Sequence, residues 1–208
     1  MQRKRALIVV DIQNDFLPGG VLAVPSGAAV IGKAAELMEG AWDAVVMTQD
    51  WHPKDHVSFA ANNPGKSEGD MIMLPYGEQI LWPVHCVAGT SGAAFPGRLS
   101  DRNADLIIRK GRERGIDSYS AFCAADGKTL TGLAGWLEER GITDVYVCGL
   151  ATDFCVSYTA ADAANAGFRT FVITDASAAI DIGGSLKAAE DTWRKLGIST
   201  VTTAEIEY

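Results

Sequence analysis

Residues 145–167, VYVCGLATDFCVSYTAADAANAG, contain the pattern that decides the fold class of this chain. The stretch begins with a short apolar, β-branched run, passes through a glycine turn, and continues as an amphipathic segment (154–165) that Gly167 follows. An apolar run without alternation is typical of a strand covered on both faces, and a glycine after a periodic segment is typical of a helix end. The stretch therefore predicts a buried strand and then a helix, as in a parallel α/β sheet.

The same alternation of strand and helix extends along the chain on both sides of this stretch. Further buried strands are predicted at 6–10, 44–48, 106–108, 170–174 and, more weakly, 199–202. Further helices are predicted at 28–38, 130–140 and 185–196. Right-handed crossovers between successive parallel strands place helices on both faces of the sheet. We therefore predict an α/β fold with three layers, built on a doubly wound, mostly parallel six-stranded sheet.

Length and composition favour one globular domain over residues 1–208. Hydrophobic residues make up 48% of the 208 residues and charged residues 21%, an ordinary globular composition. The net charge of −8 argues against a nucleic-acid-binding protein, which needs a basic face. The apolar run 6–10 is too short for a signal peptide, and no segment approaches a membrane span. We expect a cytoplasmic protein, not bound to a membrane, whose four cysteines are thiols.

Residues 51–104 interrupt the alternation of strands and helices. This stretch shows little periodic pattern and contains all three histidines of the chain, His52, His56 and His85. A long loop without secondary structure is uncommon in a domain unless it is functional. We therefore expect an irregular insertion, at about 51–104, that carries part of an active site.

Reactive side chains follow the predicted strands. In open parallel α/β sheets, ligands bind beyond the carboxyl ends of the strands. The residues at these ends are Asp11, Asp50 with His52, Lys110, Cys155 and Asp175. Each alone is weak evidence, because acids often end strands and lysines are usually solvated. Their coincidence at one edge of the sheet predicts an active site there.

Cys155 is the candidate nucleophile. Thr152 or Asp153 would cap the helix that contains it, and the positive end of a helix dipole favours a thiolate. The strand-to-helix turn has the layout of a nucleophile elbow, whose backbone N–H groups can form an oxyanion hole. The alternative is that Cys155 is a small buried hydrophobic residue, as most cysteines are.

A cysteine nucleophile needs a base, and the sequence leaves two kinds of candidate. Histidine is the usual base, but Asp50 and His52 have the i, i+2 spacing of a ligand pair and with His85 suit a divalent metal. If the metal takes the histidines, Asp11 is the base and Lys110 steadies the thiolate. A strand-end acid and a lysine also suit a phospho-acceptor signalling domain, but the neighbours of Asp11 are apolar. No dinucleotide fingerprint or P-loop is present.

Five motifs, in chain order, resemble those of the nicotinamidases, which belong to the isochorismatase-like cysteine hydrolases. They are VDIQNDFL (10–17), TQDWH (48–52), LWPVHC (81–86), RKG (109–111) and GLATDFCV (149–156). The resemblance covers nearly the whole chain. It implies hydrolysis of nicotinamide to nicotinic acid and ammonia through a cysteine thioester, in NAD salvage. The alternative is an amidase of the same superfamily that acts on another small amide.

The resemblance also implies a role for individual residues. The implied catalytic triad is Asp11, Lys110 and Cys155. The implied metal ligands are Asp50, His52 and His85, with His56 as a further candidate. The implied substrate-binding residues are Phe16, Leu22, Trp82 and Tyr119. The N–H groups of Ala151 and Cys155 would form the oxyanion hole, after a cis peptide between Leu150 and Ala151.

The metal implied by the resemblance is one divalent ion, zinc first, with manganese and iron as alternatives. Val84 and Pro96 depart from residues that many bacterial relatives carry near the metal, so the identity of the ion stays open. The implied partner is the small-molecule substrate nicotinamide, with no nucleic acid, and homo-oligomerisation is left open.

Overall fold

Eight strands and four α-helices form the regular structure of the computed structural model, which describes residues 3–99 and 101–206. The strands are β1 (Lys4–Val10), β2 (Ala44–Asp50), β3 (Met71–Leu74), β4 (Gly77–Ile80), β5 (Leu106–Lys110), β6 (Ile142–Leu150), β7 (Arg169–Ala178) and β8 (Ser199–Val201). The helices are α1 (Gly27–Met38), α2 (Leu133–Glu139), α3 (Ser157–Asn165) and α4 (Ser185–Leu196).

Six of the strands form one parallel sheet in the order β5-β2-β1-β6-β7-β8. Alternate residues of the central strand β1 face opposite layers. Ile8 packs in a core with side chains of α2, α3 and α4, and Leu7 packs in a second core with side chains of α1. The predicted three-layer α/β class, with helices on both faces of a parallel sheet, is confirmed.

The expected irregular insertion contains a short antiparallel hairpin that the sequence analysis did not predict. β3 and β4 pair in a sheet of their own, joined across Pro75 and Tyr76. Each strand has only four residues, which is too short for a periodic pattern to stand out. The hairpin contributes to the site because its buried Gln79 donates a hydrogen bond to Asp117, which lines the cavity described below.

Some element boundaries differ from the predicted ones. β7 continues to Ala178, four residues beyond its predicted end at 174. α2 begins at Leu133 and not at 130, because Gly132 precedes it with a left-handed backbone (φ 89°). α3 begins at Ser157 and not at 154, because residues Thr152–Val156 form a wider π-helical turn. No helix in the described ranges is long and apolar enough to cross a lipid bilayer.

Candidate active site

The carboxyl ends of β1, β2, β5 and β6 bring the candidate catalytic residues together. Asp50 and Lys110 are the last residues of β2 and β5 and lie opposite each other in the parallel register. Asp11 follows β1 directly, with a left-handed backbone (φ 45°). Cys155 lies in the π-helical turn after β6. Each is buried, so all four side chains meet away from bulk water.

Lys110 is the centre of this cluster. Its Nζ donates hydrogen bonds to Asp50 Oδ1 (2.5 Å), to the Ser118 carbonyl (2.9 Å) and to Cys155 Sγ (3.3 Å). The same nitrogen lies 2.8 Å from Asp11 Oδ2 as an ion pair. Removing a charge from water is costly unless it is paired, so the ammonium and the two carboxylates depend on one another. The predicted grouping of Asp11, Lys110 and Cys155 is what the structure contains.

One oxygen of Asp11, Oδ2, is paired with the Lys110 ammonium but accepts no hydrogen bond. The Thr48 hydroxyl donates to Oδ1 at 2.6 Å. Asp11 Oδ2 is the one buried side-chain oxygen or nitrogen, among the described residues, that has no hydrogen-bond partner. A buried acceptor of this kind is unusual and calls for an explanation. The Cys155 thiol beside it can supply the missing proton, which makes Asp11 the candidate base.

The protonation states differ from the expected resting thiolate. Burial raises the pKa of Cys155 well above its usual value; Lys110 acts against this increase, while Asp11 adds to it. Burial also raises the pKa of Asp11, with Lys110 opposing it. Burial disfavours the charged form of Lys110, but Asp11 and Asp50 outweigh burial and raise its pKa. The site therefore holds a neutral thiol and a permanent cation, and the thiolate forms only as a base takes the proton.

Asp50, His52 and His85 form a set that fits a divalent cation. The Nε2 atoms of His52 and His85 lie 3.7 Å and 3.9 Å from Asp50 Oδ2. The three residues are close enough to ligate one ion. Each Nδ1 lies 2.8 Å from a backbone carbonyl, that of Gly111 for His52 and that of Pro83 for His85. Because a carbonyl only accepts, each Nδ1 carries the proton and each Nε2 lone pair is left for a metal.

Charge and protonation support the same conclusion. Burial lowers the pKa of His85 to about 4, so its imidazole is neutral, as a metal ligand must be. Burial acts to lower the pKa of His52, but the Asp50 carboxylate outweighs burial and raises it, so a metal at His52 would have to displace a proton. Burial would raise the pKa of Asp50, yet Lys110 and His52 outweigh burial and lower it, so Asp50 is ionised. A divalent cation would neutralise the negative charge of the Asp50 carboxylate in place of the proton on His52.

His56 lies beside this set, but its ring nitrogens already have partners. Its ring packs against that of His52, with centroids 4.2 Å apart. Its Nε2 lies 3.2 Å from the Ile116 carbonyl and its Nδ1 lies 2.7 Å from the Ser58 hydroxyl. His56 and His52 also approach Asp117 closely enough to form a second three-ligand group. His56 stays a candidate ligand, and binding a metal would require it to release one of these partners.

We expect Gly111→Ala to weaken metal binding about 10–100-fold, the usual cost of disturbing a residue that orients a ligand. A Cβ on Gly111 would lie 2.3 Å from His52 Cε1, so the imidazole would have to move. Gly127→Ala is the matched control, because Gly127 has almost the same backbone (φ 66° against 62°) but open space around it. Titration with zinc measures both affinities, and equal affinities would contradict the role given to Gly111.

A cavity adjoins the sulfur and the candidate metal ligands. It has about 400 Å³ of empty space, part of it open to solvent, and Cys155, Asp50, His52 and His85 are among its lining residues. The expected substrate-binding residues Phe16, Leu22, Trp82 and Tyr119 all line it. The indole N–H of Trp82 donates to the Tyr119 hydroxyl at 2.9 Å, which fixes both rings. The cavity has the mainly aromatic and aliphatic walls that suit a small planar ring.

Four further residues line the cavity that the sequence analysis did not single out: Val24, Asp117, Phe154 and Ile180. Ile180 was missed because β7 was predicted to end at 174. The same error placed Asp175 at the catalytic edge, which is wrong. Asp175 lies within β7 and binds Lys33 (2.6 Å) and Thr203 (2.7 Å) instead. Asp117 follows no strand, so the strand-end rule offered no signal for it.

The turn that carries Cys155 also differs in detail from the expectation. The Leu150–Ala151 peptide is cis, as expected. The predicted helix caps are wrong, because no side chain caps this turn and the Asp153 carboxylate binds residues 180, 181 and 185 instead. Ala151 and Cys155 both line the cavity, where their N–H groups are candidates for an oxyanion hole.

Known proteins are similar to this chain over nearly its whole length. Residues 5–205 match the family model of the isochorismatase domain. The nicotinamidase of Acinetobacter baylyi is 53% identical over 201 residues, which are 97% of this chain and 94% of that protein. The solved structure of a nicotinamidase and pyrazinamidase from Acinetobacter baumanii has a TM-score of 0.95 and 51% identity, covering 99% of both chains. That of a Pyrococcus horikoshii pyrazinamidase in complex with zinc has a TM-score of 0.77 and 37% identity, covering 96% of this chain and 99% of that one.

Proposed function

The chain belongs to the isochorismatase family, and from this premise we propose that it hydrolyses nicotinamide to nicotinate and ammonia, in NAD salvage. It is an amidohydrolase that cleaves a carboxamide C–N bond. The observation that carries the proposal is the contact of Lys110 with Asp11 and Cys155, beside a cavity that Cys155 lines.

The first half of the reaction forms a thioester. Asp11 Oδ2 takes the thiol proton of Cys155, and the sulfur bonds to the carboxamide carbon. The backbone N–H groups of Ala151 and Cys155 hold the oxyanion, a type of contact worth about 3–4 kcal/mol for one donor. Lys110 keeps its proton and offsets the negative charge. The C–N bond then breaks, and Asp11 returns its proton to the departing nitrogen, which leaves as ammonia.

The second half releases the acid. Asp11, ionised again, takes a proton from a water molecule that attacks the thioester carbon. The C–S bond breaks, and the proton on Asp11 returns to the sulfur. The product is nicotinic acid, which ionises to nicotinate, and Cys155 is again a neutral thiol, the state that burial favours.

We propose zinc as the metal, with manganese and iron as alternatives, held by Asp50, His52 and His85. When bound, such an ion supplies a Lewis-acid site that binds and orients the ring nitrogen of the substrate. Two buried carboxylates, Asp11 and Asp50, pair with the single Lys110 ammonium, so a cation also reduces the excess negative charge. Phe16 and Trp82 flank the ring.

We expect purified protein to release ammonia from nicotinamide. Chelation should lower the rate of release by about tenfold or more, and added metal should restore it. The reason is that the ring would lose the site that orients it towards Cys155. Elemental analysis before chelation identifies the ion. Ammonia from a carbamoyl amino acid, with none from nicotinamide at any metal concentration, would favour the other amidase function instead.

The one-domain organisation over 1–208 and a cytoplasmic location remain predictions. The state of association is a separate question, which sedimentation of the purified protein answers.

A further inference from the structure

Asp153 is a buried carboxylate that the reaction does not use. It lies two residues before Cys155 in the same π-helical turn, with 5% of its surface exposed. It accepts three hydrogen bonds from the connection between β7 and α4. The donors are the backbone N–H of Ile180 (3.0 Å), the backbone N–H of Asp181 (2.8 Å) and the Ser185 hydroxyl (2.5 Å). The Asp153 side chain therefore links the turn that carries Cys155 to the connection between β7 and α4.

Besides Asp153, two hydrogen bonds between Ile182 and Ser185 hold the connection, residues 179–184, at its end next to α4. Asp181 has a left-handed backbone (φ 55°), which is uncommon for a residue other than glycine. Gly183 and Gly184 are also left-handed and exposed, and glycine adds conformational freedom. Ile180, which is half-buried, is the residue of this connection that lines the cavity. Its side chain packs against one of the hydrophobic cores, and its backbone N–H donates to Asp153.

We propose that Asp153 is a positioning residue that holds Ile180 against the bound ring and so limits the size of the amide that the cavity accepts. The inference rests on the proposed function, because it concerns selectivity among ring amides. In Asp153→Asn, an NH₂ group replaces one carboxylate oxygen. At least one of the two backbone N–H groups then loses its acceptor, and the connection loosens.

A loosened wall affects small and large substrates differently. Nicotinamide loses a packing contact, so its KM rises. A nicotinamide with one added ring methyl group gains room, because the wall that rejects it is no longer fixed. One methyl-sized difference in an apolar pocket is worth roughly tenfold or more in selectivity. A general loss of stability would lower both rates together and leave their ratio unchanged.

The test compares kcat/KM for nicotinamide with that for each ring-methylated nicotinamide, in the wild-type protein and in Asp153→Asn. We expect the preference for nicotinamide over at least one methylated ring to fall about tenfold. Asp126→Asn is the matched control, because Asp126 likewise accepts two backbone N–H bonds and one hydroxyl bond, on a partly exposed turn outside the cavity. Its selectivity should equal that of the wild type.

Two further variants keep the test decisive if Asp153→Asn does not fold. Ser185→Ala removes one of the three donors and should shift selectivity in the same direction by a smaller factor. Ile180→Ala removes the wall itself and should give a shift at least as large. Wild-type selectivity in Asp153→Asn, or in Ser185→Ala where the first variant is insoluble, would overturn the inference. A wild-type protein that releases no ammonia from nicotinamide would instead refute the proposed function.

Discussion

Replacing Cys155 with alanine is expected to lower the turnover of nicotinamide by about 10⁴-fold or more, the scale on which enzymes lose activity when the nucleophile is removed. No other described thiol can substitute for it. The other three, Cys86, Cys123 and Cys148, do not line the cavity that Cys155 lines. Because alanine leaves the rest of the cavity in place, the variant should still bind nicotinamide.

Steady-state ammonia release measures the loss of turnover, and calorimetry with nicotinamide measures binding. Cys123→Ala is the control, because its half-buried sulfur donates only to Asp162 (3.3 Å) and lies outside the site. A Cys155→Ala protein that kept a tenth of the wild-type rate would show that the amide is attacked by another group, such as a water activated by Asp11.

Lys110→Met is expected to cost about 3–5 kcal/mol of unfolding free energy and to remove activity as well. The methionine keeps most of the volume but leaves Asp11 and Asp50 buried without a cation. It also removes the hydrogen bonds to Cys155 and to the Ser118 carbonyl. Without the ammonium, the pKa of Asp11 rises further, because Lys110 is the main effect that lowers it against burial. A protonated Asp11 cannot take the thiol proton.

The stability deficit of Lys110→Met should depend on pH. A carboxyl whose pKa is higher in the folded than in the unfolded chain binds its proton more tightly when folded. The variant is therefore most stable below the unfolded value of 3.8 and loses stability as the pH rises through the folded pKa of Asp11. Denaturant unfolding at pH 5 and pH 8 should show the larger deficit at pH 8.

Lys187→Met is the matched control for this experiment. Lys187 pairs with Asp191 at 2.6 Å, but both side chains are exposed, and such pairs contribute little to stability. Its unfolding should resemble that of the wild type at both pH values. A Lys110→Met protein as stable as this control at pH 8 would mean that the buried carboxylates do not depend on the ammonium.

The sequence by itself determined the layers of the fold and the residues that meet at its catalytic edge. Apolar runs such as 6–10 predict buried strands because strands covered on both faces must be apolar throughout. Parallel strands end at one edge, so Asp11, Asp50 and Lys110 could be grouped from their places after three runs. The local pattern was sufficient because each of these residues lies within one position of a strand end.

Only the tertiary structure decided the exact wall of the cavity and the protonation of its groups. Because β7 continues to Ala178, Ile180 lines the cavity and Asp175 does not. The hairpin of β3 and β4 places Gln79 within hydrogen-bond distance of Asp117. A pKa depends on burial and on charges brought near by residues far apart in the chain, such as Lys110 beside Cys155. These distances are set by how the layers pack, and a local sequence pattern does not encode them.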